Sequence, residues 1–140
     1  MAKTIKHKIL FKKTTPAILY NLYMNADQHS VATGAPAQIS DEEGSSYSVH
    51  NGYITGRNLQ LIKDKLIVQS WRAQGWDAED VDSTFIIYLQ KKRTNVLVHA
   101  THVNLPDKHA DSVNKGWHAH YWEPWKKYLA GEPIEKAPVM

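Results

Sequence analysis

The chain of 140 residues contains no cysteine. That excludes disulfides, thiolate metal sites and a catalytic thiol together, and it fits a cytoplasmic protein. Long apolar runs are missing too: nothing approaches the roughly 20 residues that a membrane span needs, so no membrane insertion is expected. The opening MAKTIKHKILFKK has neither a continuous apolar segment nor a small-residue cleavage site, and so does not read as a signal peptide. Net charge is a modest +3. Five lysines fall in the first thirteen residues, but they interleave with Ile5, Ile9 and Phe11 at strand period. They form a solvated outer face, and no nucleic-acid recognition signature accompanies them. Nucleic acid is therefore not an expected partner.

What is present suits one soluble domain. Hydrophobic residues make up 42% and charged residues 22%, a balance that supports a buried core and argues against disorder. A single domain over residues 1–131 is expected, followed by a flexible Pro-containing tail, 132–140.

The periodicities order the elements. TIKHKILFKK alternates Ile5, His7, Ile9 and Phe11 against Lys6, Lys8, Leu10 and Lys12, which is a half-buried strand. Thr15 as N-cap and Pro16 at the first helical position open a short helix with an apolar stripe at Ile18, Leu19, Leu22 and Tyr23. A second short helix follows and stops at Gly34. From Ala37 the period changes to that of strands: AQIS, SSYSVH, YITGRNLQLI, LIVQSWR, STFIIYLQKK and NVLVHATHVNL, joined by short turns. With the first strand this predicts a seven-stranded antiparallel sheet, the first strand at its edge. Pro106 ends the last strand, and a long C-terminal helix begins. Its apolar residues Val113, Trp117, Tyr121, Pro124 and Tyr128 recur at steps of three or four, flanked by Trp122, Trp125 and Leu129.

That helix carries the segment GWHAHYWEPWKKYLAG at 116–131. His118 and His120 are two residues apart, about 200° around a helix, so they do not chelate one ion. A zinc-binding helix needs the i, i+4 spacing. No metal and no cofactor are expected. Only Lys126 and Lys127 stand opposite the tryptophans, which is too few for an interfacial membrane helix. The aromatic face is read instead as the cover of a curved sheet, with a gap between sheet and helix large enough for a ligand. Gly116 is expected to let the backbone approach a neighbouring strand.

Four stretches carry a family resemblance: the first strand with TTPAILYNLY, LIVQSWR at 66–72, ATHVNLP at 100–106, and GW with WEPWKKYLAG at 116–131. Together they resemble the helix-grip superfamily, shared by START lipid-transfer domains, birch-pollen allergens and polyketide cyclases. Within it they are most similar to the branch named for the activator of the 90-kDa heat-shock protein ATPase. The resemblance implies an α+β fold in which the antiparallel sheet wraps a long C-terminal helix, with two short helices after the first strand. It brings no catalytic signature.

By strand parity, Val96, Val98, Ala100, His102 and Asn104 share the inner face, as do Ile67, Gln69 and Trp71, and Phe85, Ile87 and Leu89. The expected pocket lining is Tyr47, Gln69, Trp71, Phe85, Ile87, Val98, His102, Trp117 and Tyr121. His102, with Gln69 or Tyr47, would supply hydrogen-bonding groups; its alternative is a core histidine satisfied by its neighbours. No inner strand position carries Asp or Glu, and no Ser-His-Asp order stands out, so catalytic residues are not assigned. The expected function is non-catalytic binding of a small apolar or aromatic molecule, lipid-like or polyketide-like. The alternatives are a protein-interaction module of chaperone-activator type, and a cyclase- or hydrolase-like enzyme using the same cavity. A monomer or weak dimer is expected from the lysines on the edge strand.

Overall fold

A computed structural model describes residues 2–132. Except for Glu132, the expected tail lies outside the described residues. The elements run β1 (Ala2–Phe11), α1 (Pro16–Met24), α2 (Ala26–Thr33), β2 (Ser46–Val49), β3 (Ile54–Ile62), β4 (Leu66–Ala73), β5 (Ser83–Lys92) and β6 (Asn95–Pro106). The C-terminal helix then comprises a 3₁₀ turn (Asp107–His109), α3 (Ala110–Trp117), a π-helical turn (His118–Trp122) and α4 (Glu123–Leu129).

Local chemistry sets the helix boundaries. Thr15 Oγ1 accepts the amide of Ile18 at 3.2 Å, and Pro16 occupies the first turn, where its missing N–H costs nothing. Asn25 caps α2 in the same way through the amide of Gln28, and Gly34 closes it in the left-handed conformation at φ 76°.

The sheet has six strands in the order β1-β6-β5-β4-β3-β2, all pairs antiparallel. The expected seventh strand, AQIS, reduces to a single bridge between Gln38 and Ser48. Beyond it the chain is held by a side chain instead of a ladder: Asn58 Nδ2 donates to the carbonyls of Ser40 and Glu42. Two register shifts, at Lys3/Ile5 and Asn58/Gln60, interrupt the ladders, the places where a strand bends and twists. The first lies opposite Asn104, whose φ of 62° marks a left-handed residue. Parity breaks there: His102 and Leu105 point inward and Asn104 is exposed, which corrects its expected place on the inner face.

One face of the sheet is covered by the helices. Ile67, Gln69 and Trp71 on β4, Phe85, Ile87 and Leu89 on β5, and Val96, Val98, Ala100 and His102 on β6 are all buried beneath them. The C-terminal helix contributes Trp117, Tyr121, Trp122 and Trp125. Trp117 and Trp122 are five apart, which on a regular α-helix would set them about 140° apart. The π turn, in which the amide of Glu123 reaches back to the carbonyl of His118, brings both indoles to the sheet, stacked at 5.6 Å and 19°. Pro124 follows directly, and its missing N–H already frees a carbonyl in the preceding turn.

Candidate ligand-binding cleft

Two indole–imidazole hydrogen bonds fasten the helix to the sheet. Trp117 Nε1 donates to His102 Nδ1 at 3.0 Å, and Trp122 Nε1 donates to His7 Nδ1 at 2.9 Å. An indole N–H only donates, so each imidazole carries its proton on Nε2. His102 Nε2–H then donates to Ser83 Oγ at 2.7 Å, and Ser83 passes its own proton to the carbonyl of Trp71 at 2.9 Å. His7 Nε2–H donates to Asn114 Oδ1 at 2.7 Å. His102 is thus a satisfied core histidine, and burial lowers its pKa to about 3. Although it touches a serine, its proton faces that serine, the wrong arrangement for a general base.

A second buried chain lies beside it. Tyr23 donates its hydroxyl proton to Gln69 Oε1 at 2.9 Å, and Gln69 Nε2 donates to Asn58 Oδ1 at 2.9 Å. His29 Nδ1 lies 2.7 Å from the Tyr23 carbonyl and so holds the proton; its Nε2 accepts the hydroxyl of Tyr121 at 2.9 Å. Desolvation brings the His29 pKa down to about 4.

The centre of the space between sheet and helix is occupied by side chains. Trp117 stacks on Phe85 at 3.9 Å and 11°, and Ile87 and Val98 are wholly buried around it. The opening lies at one end, where the β2–β3 turn, the β4–β5 loop and the first turns of the C-terminal helix meet. There a cleft of about 200 Å³ is lined by Trp71, Trp117 and Tyr121 together with His50, Tyr53, Trp76, His109, Gly116 and His120. Of the sequence-predicted lining, Trp71, Trp117 and Tyr121 reach this cleft. Gln69, Phe85, Ile87, Val98 and His102 lie behind it in the packed interior, and Tyr47 packs over β3, its hydroxyl donating to the Ser70 carbonyl at 2.6 Å.

Gly116 also differs from expectation. A Cβ there would meet only His120 Cδ2, at 3.8 Å, so the missing side chain opens the cleft wall and does not admit a strand. The glycine that does admit backbone is Gly56, where a Cβ would come within 1.9 Å of the Ser70 carbonyl oxygen and 2.8 Å of the Tyr47 ring.

His50, Trp76 and His109 were not singled out from the sequence, because they sit in turns outside any strand or helix periodicity. A signal existed for His50: it precedes Asn51-Gly52, a hairpin turn dipeptide. His50 and Asn51 take φ of 53° and 57°, a left-handed conformation to which histidine and asparagine are better suited than most residues. That turn folds the His50 ring inward against Tyr121 at 5.3 Å and His120 at 5.4 Å. Burial, and then the neighbouring His29 and His120, lower its pKa to about 3. Among the described residues its Nδ1 has no hydrogen-bond partner, and neither does His109 Nε2. Trp76 stacks on His109 at 5.7 Å and 11° to form the rim. The rim is pinned by the Asp77–Lys108 ion pair and by Arg72, which donates to the carbonyls of Asp77 and Asp80.

Among the described residues no Asp, Glu, Lys or Arg lines the cleft. Its one serine, Ser112, is turned back onto the His109 carbonyl at 3.1 Å. The arrangement offers flat aromatic walls and imidazole nitrogens. His118 and His120 diverge, His118 toward His7 and His120 toward His50. Among the described residues no three His, Asp or Glu side chains converge as a metal site.

Known proteins place the chain clearly. It is 23% identical over 125 residues to the human "Activator of 90 kDa heat shock protein ATPase homolog 1", covering 89% of this chain and 36% of that protein. It is 30% identical over 118 residues to the Dictyostelium discoideum "Activator of 90 kDa heat shock protein ATPase homolog", covering 82% and 30% respectively. The chain therefore spans about a third of the length of the curated relatives it matches. Among solved structures, PFC0360w, an HSP90 activator from Plasmodium falciparum, superposes with a TM-score of 0.77 at 22% identity, covering 95% of this chain and 98% of that one. CalU16 from Micromonospora echinospora superposes with a TM-score of 0.80 at 15% identity, covering 99% and 71%. These likenesses establish the helix-grip architecture that the sequence resemblance implied. The family described as "Activator of Hsp90 ATPase homolog 1-like protein" matches residues 13–130, and the chain belongs to that family.

Proposed function

We propose that the domain binds a small uncharged aromatic molecule in the cleft between the β2–β3 turn and the C-terminal helix. The observation that carries this reading is the lining itself: aromatic walls, no Asp, Glu, Lys or Arg, and a buried imidazole nitrogen without a partner among the described residues. Ligand sites of this kind combine apolar walls with a few placed polar groups. The size favours one substituted ring over a long acyl chain, since a cavity of about 150 Å³ already accommodates a benzene. Charged ligands would lose hydration with no counter-charge to replace it.

A thermal-shift panel of fatty acids, flavonoids and phenolic or heteroaromatic metabolites tests it. A ligand at 100 times its dissociation constant stabilises by about 2.7 kcal/mol. Aromatic members are expected to raise the melting temperature of the native chain and to leave Gly116→Leu unmoved, because a leucine there fills the cleft. No shift across the panel would overturn the reading, as would an equal shift in Gly116→Leu.

A second reading rests on the relatives, whose names describe activators of the heat-shock protein ATPase. Under it, the domain engages a chaperone through its surface. The measurement is the ATPase rate of the 90-kDa heat-shock protein with and without this domain, a rise favouring it and no change opposing it.

A further inference from the structure

The helices cover one face of the sheet and leave the other open, and that open face has an uneven composition. The six strands contain not one Asp or Glu, yet they carry Lys3, Lys6, Lys8, Arg57, Arg72, Lys91 and Lys92. Among the described residues the carboxylates lie in loops and helices.

The strand registers fix what lies on the open face. One row runs Ile62, Leu66, Tyr88, His99, Lys8 across five strands. The next runs Gln60, Val68, Ile86, Thr101, Lys6. Leu10 and Leu97 pair one row further on. The centre is mainly apolar through the half-buried Leu66, Val68 and Ile86 and the exposed Tyr88, with the exposed Ile62 and Leu10 toward its two sides. Lys6 and Lys8 form a rail along the β1 edge, and among the described residues neither belongs to an ion pair.

We infer that this face is a docking surface for an acidic amphipathic helix of a partner protein. An uncovered sheet face with an apolar centre is completed by a helix layer, as the opposite face already is. β4, β5 and β6 are 8, 10 and 12 residues long, and at about 3.3 Å per residue they are long enough for a helix of about 14 residues laid along them, parallel to the β1 edge. Carboxylates along one flank of such a helix would meet Lys6 and Lys8, with no carboxylate on the sheet to repel them. A second copy of this chain fits poorly, because its own face would bring lysines and no acids. An anionic bilayer fits less well than a helix, because Arg57 and Arg72 on this face are already engaged by loop acceptors, which leaves Lys6 and Lys8 as cations on one side of the apolar centre.

The inference does not depend on the cleft. Its test uses the full chain, isotope-labelled, titrated with a synthetic 14-residue amphipathic peptide bearing leucines on one face and glutamates on its flanks. Lysine-flanked peptide and vesicles with 30% phosphatidylserine are the comparisons. The expected result is saturable shifts at Lys6, Lys8, Ile86 and Tyr88, weakened by salt. Lys6→Glu with Lys8→Glu should weaken binding at least tenfold, and Tyr88→Ser severalfold, with melting temperatures unchanged. Failure of the acidic peptide to bind, shifts gathered at the cleft, or equal binding of the lysine-flanked peptide would overturn it. Binding to vesicles without binding to the peptide would make the face a membrane surface and overturn it too.

Discussion

Trp117 and His102 meet through one hydrogen bond of 3.0 Å from indole N–H to imidazole Nδ1, and that bond fixes the histidine tautomer while seating the helix on β6. Trp117→Ala should cost about 3–5 kcal/mol, the range for a buried large aromatic. Trp117→Phe retains a ring against Phe85 but leaves Nδ1 without its donor, at about 1–3 kcal/mol. His118→Ala, on the part-exposed flank of the helix, should cost under about 1 kcal/mol. Urea titrations of the three variants give the order directly, and near-equal midpoints for Trp117→Ala and His118→Ala would contradict the seating described.

Acid should unfold the domain through its interior histidines. Burial holds His29 near pKa 4 and both His50 and His102 near 3, below the unfolded value of about 6.5. Between those limits the unfolded chain binds more protons, so stability is complete above about pH 6.5 and falls as pH drops toward the folded values. Three such groups together give a slope of up to about 4 kcal/mol per pH unit once all are well below 6.5. Urea midpoints between pH 8 and 7 should differ little, and those between pH 6 and 4.5 should fall steeply. His29→Gln should flatten the fall by about a third.

The Tyr23–Gln69–Asn58 chain allows a sharper test than a single deletion. Gln69→Leu strands the Tyr23 hydroxyl and the Asn58 carbonyl oxygen in the interior, a loss of about 2–4 kcal/mol. Adding Tyr23→Phe to it should cost less than Tyr23→Phe costs alone, because the stranded hydroxyl is then gone. A double-mutant cycle by chemical denaturation measures the difference, and strict additivity would show that the chain is not coupled.

Two glycines should answer oppositely to alanine. Gly56→Ala drives a methyl into the Ser70 backbone, and should destabilise by about 2 kcal/mol or more. Gly116→Ala adds a methyl in ordinary contact with the His120 ring on a helix, and should stabilise by about 0.5–1 kcal/mol. Melting temperatures of the pair are sufficient to check it.

Most of the architecture was legible because burial writes period two on strands: Ile67, Gln69, Trp71 and Phe85, Ile87, Leu89 are buried and alternate with residues that are only half-buried or, at Tyr88, exposed. AQIS shows the same alternation but makes one bridge, since alternation cannot report whether a partner strand offers a free edge along its length. Asn104 defeats the parity because a left-handed residue spends one position without advancing the pleat. The candidate site was half legible. Trp71, Trp117 and Tyr121 sit on periodic elements, whereas His50, Trp76 and His109 are placed by turns whose three-dimensional meeting leaves no repeat in the chain. Volume was the least legible quantity: the side chains of Trp117 and Phe85 fill the space that a curved sheet and a helix were expected to leave open.

The π turn at His118–Trp122 has a consequence for how this domain can change over time. It separates α3, which carries Gly116 and Trp117 of the cleft wall, from α4, which carries the core anchor Trp125, while Tyr121 and Trp122 lie in the wide turn itself. Substitutions that rotate or shift α3 to suit a different occupant can be absorbed in the wide turn before they reach that anchor. Deleting Ala119 would remove that slack. The helix would then run as one regular rod, with the indoles of Trp117 and Trp122 four apart and about 40° around its axis, still facing the sheet, and every adjustment at the cleft would be transmitted to the core.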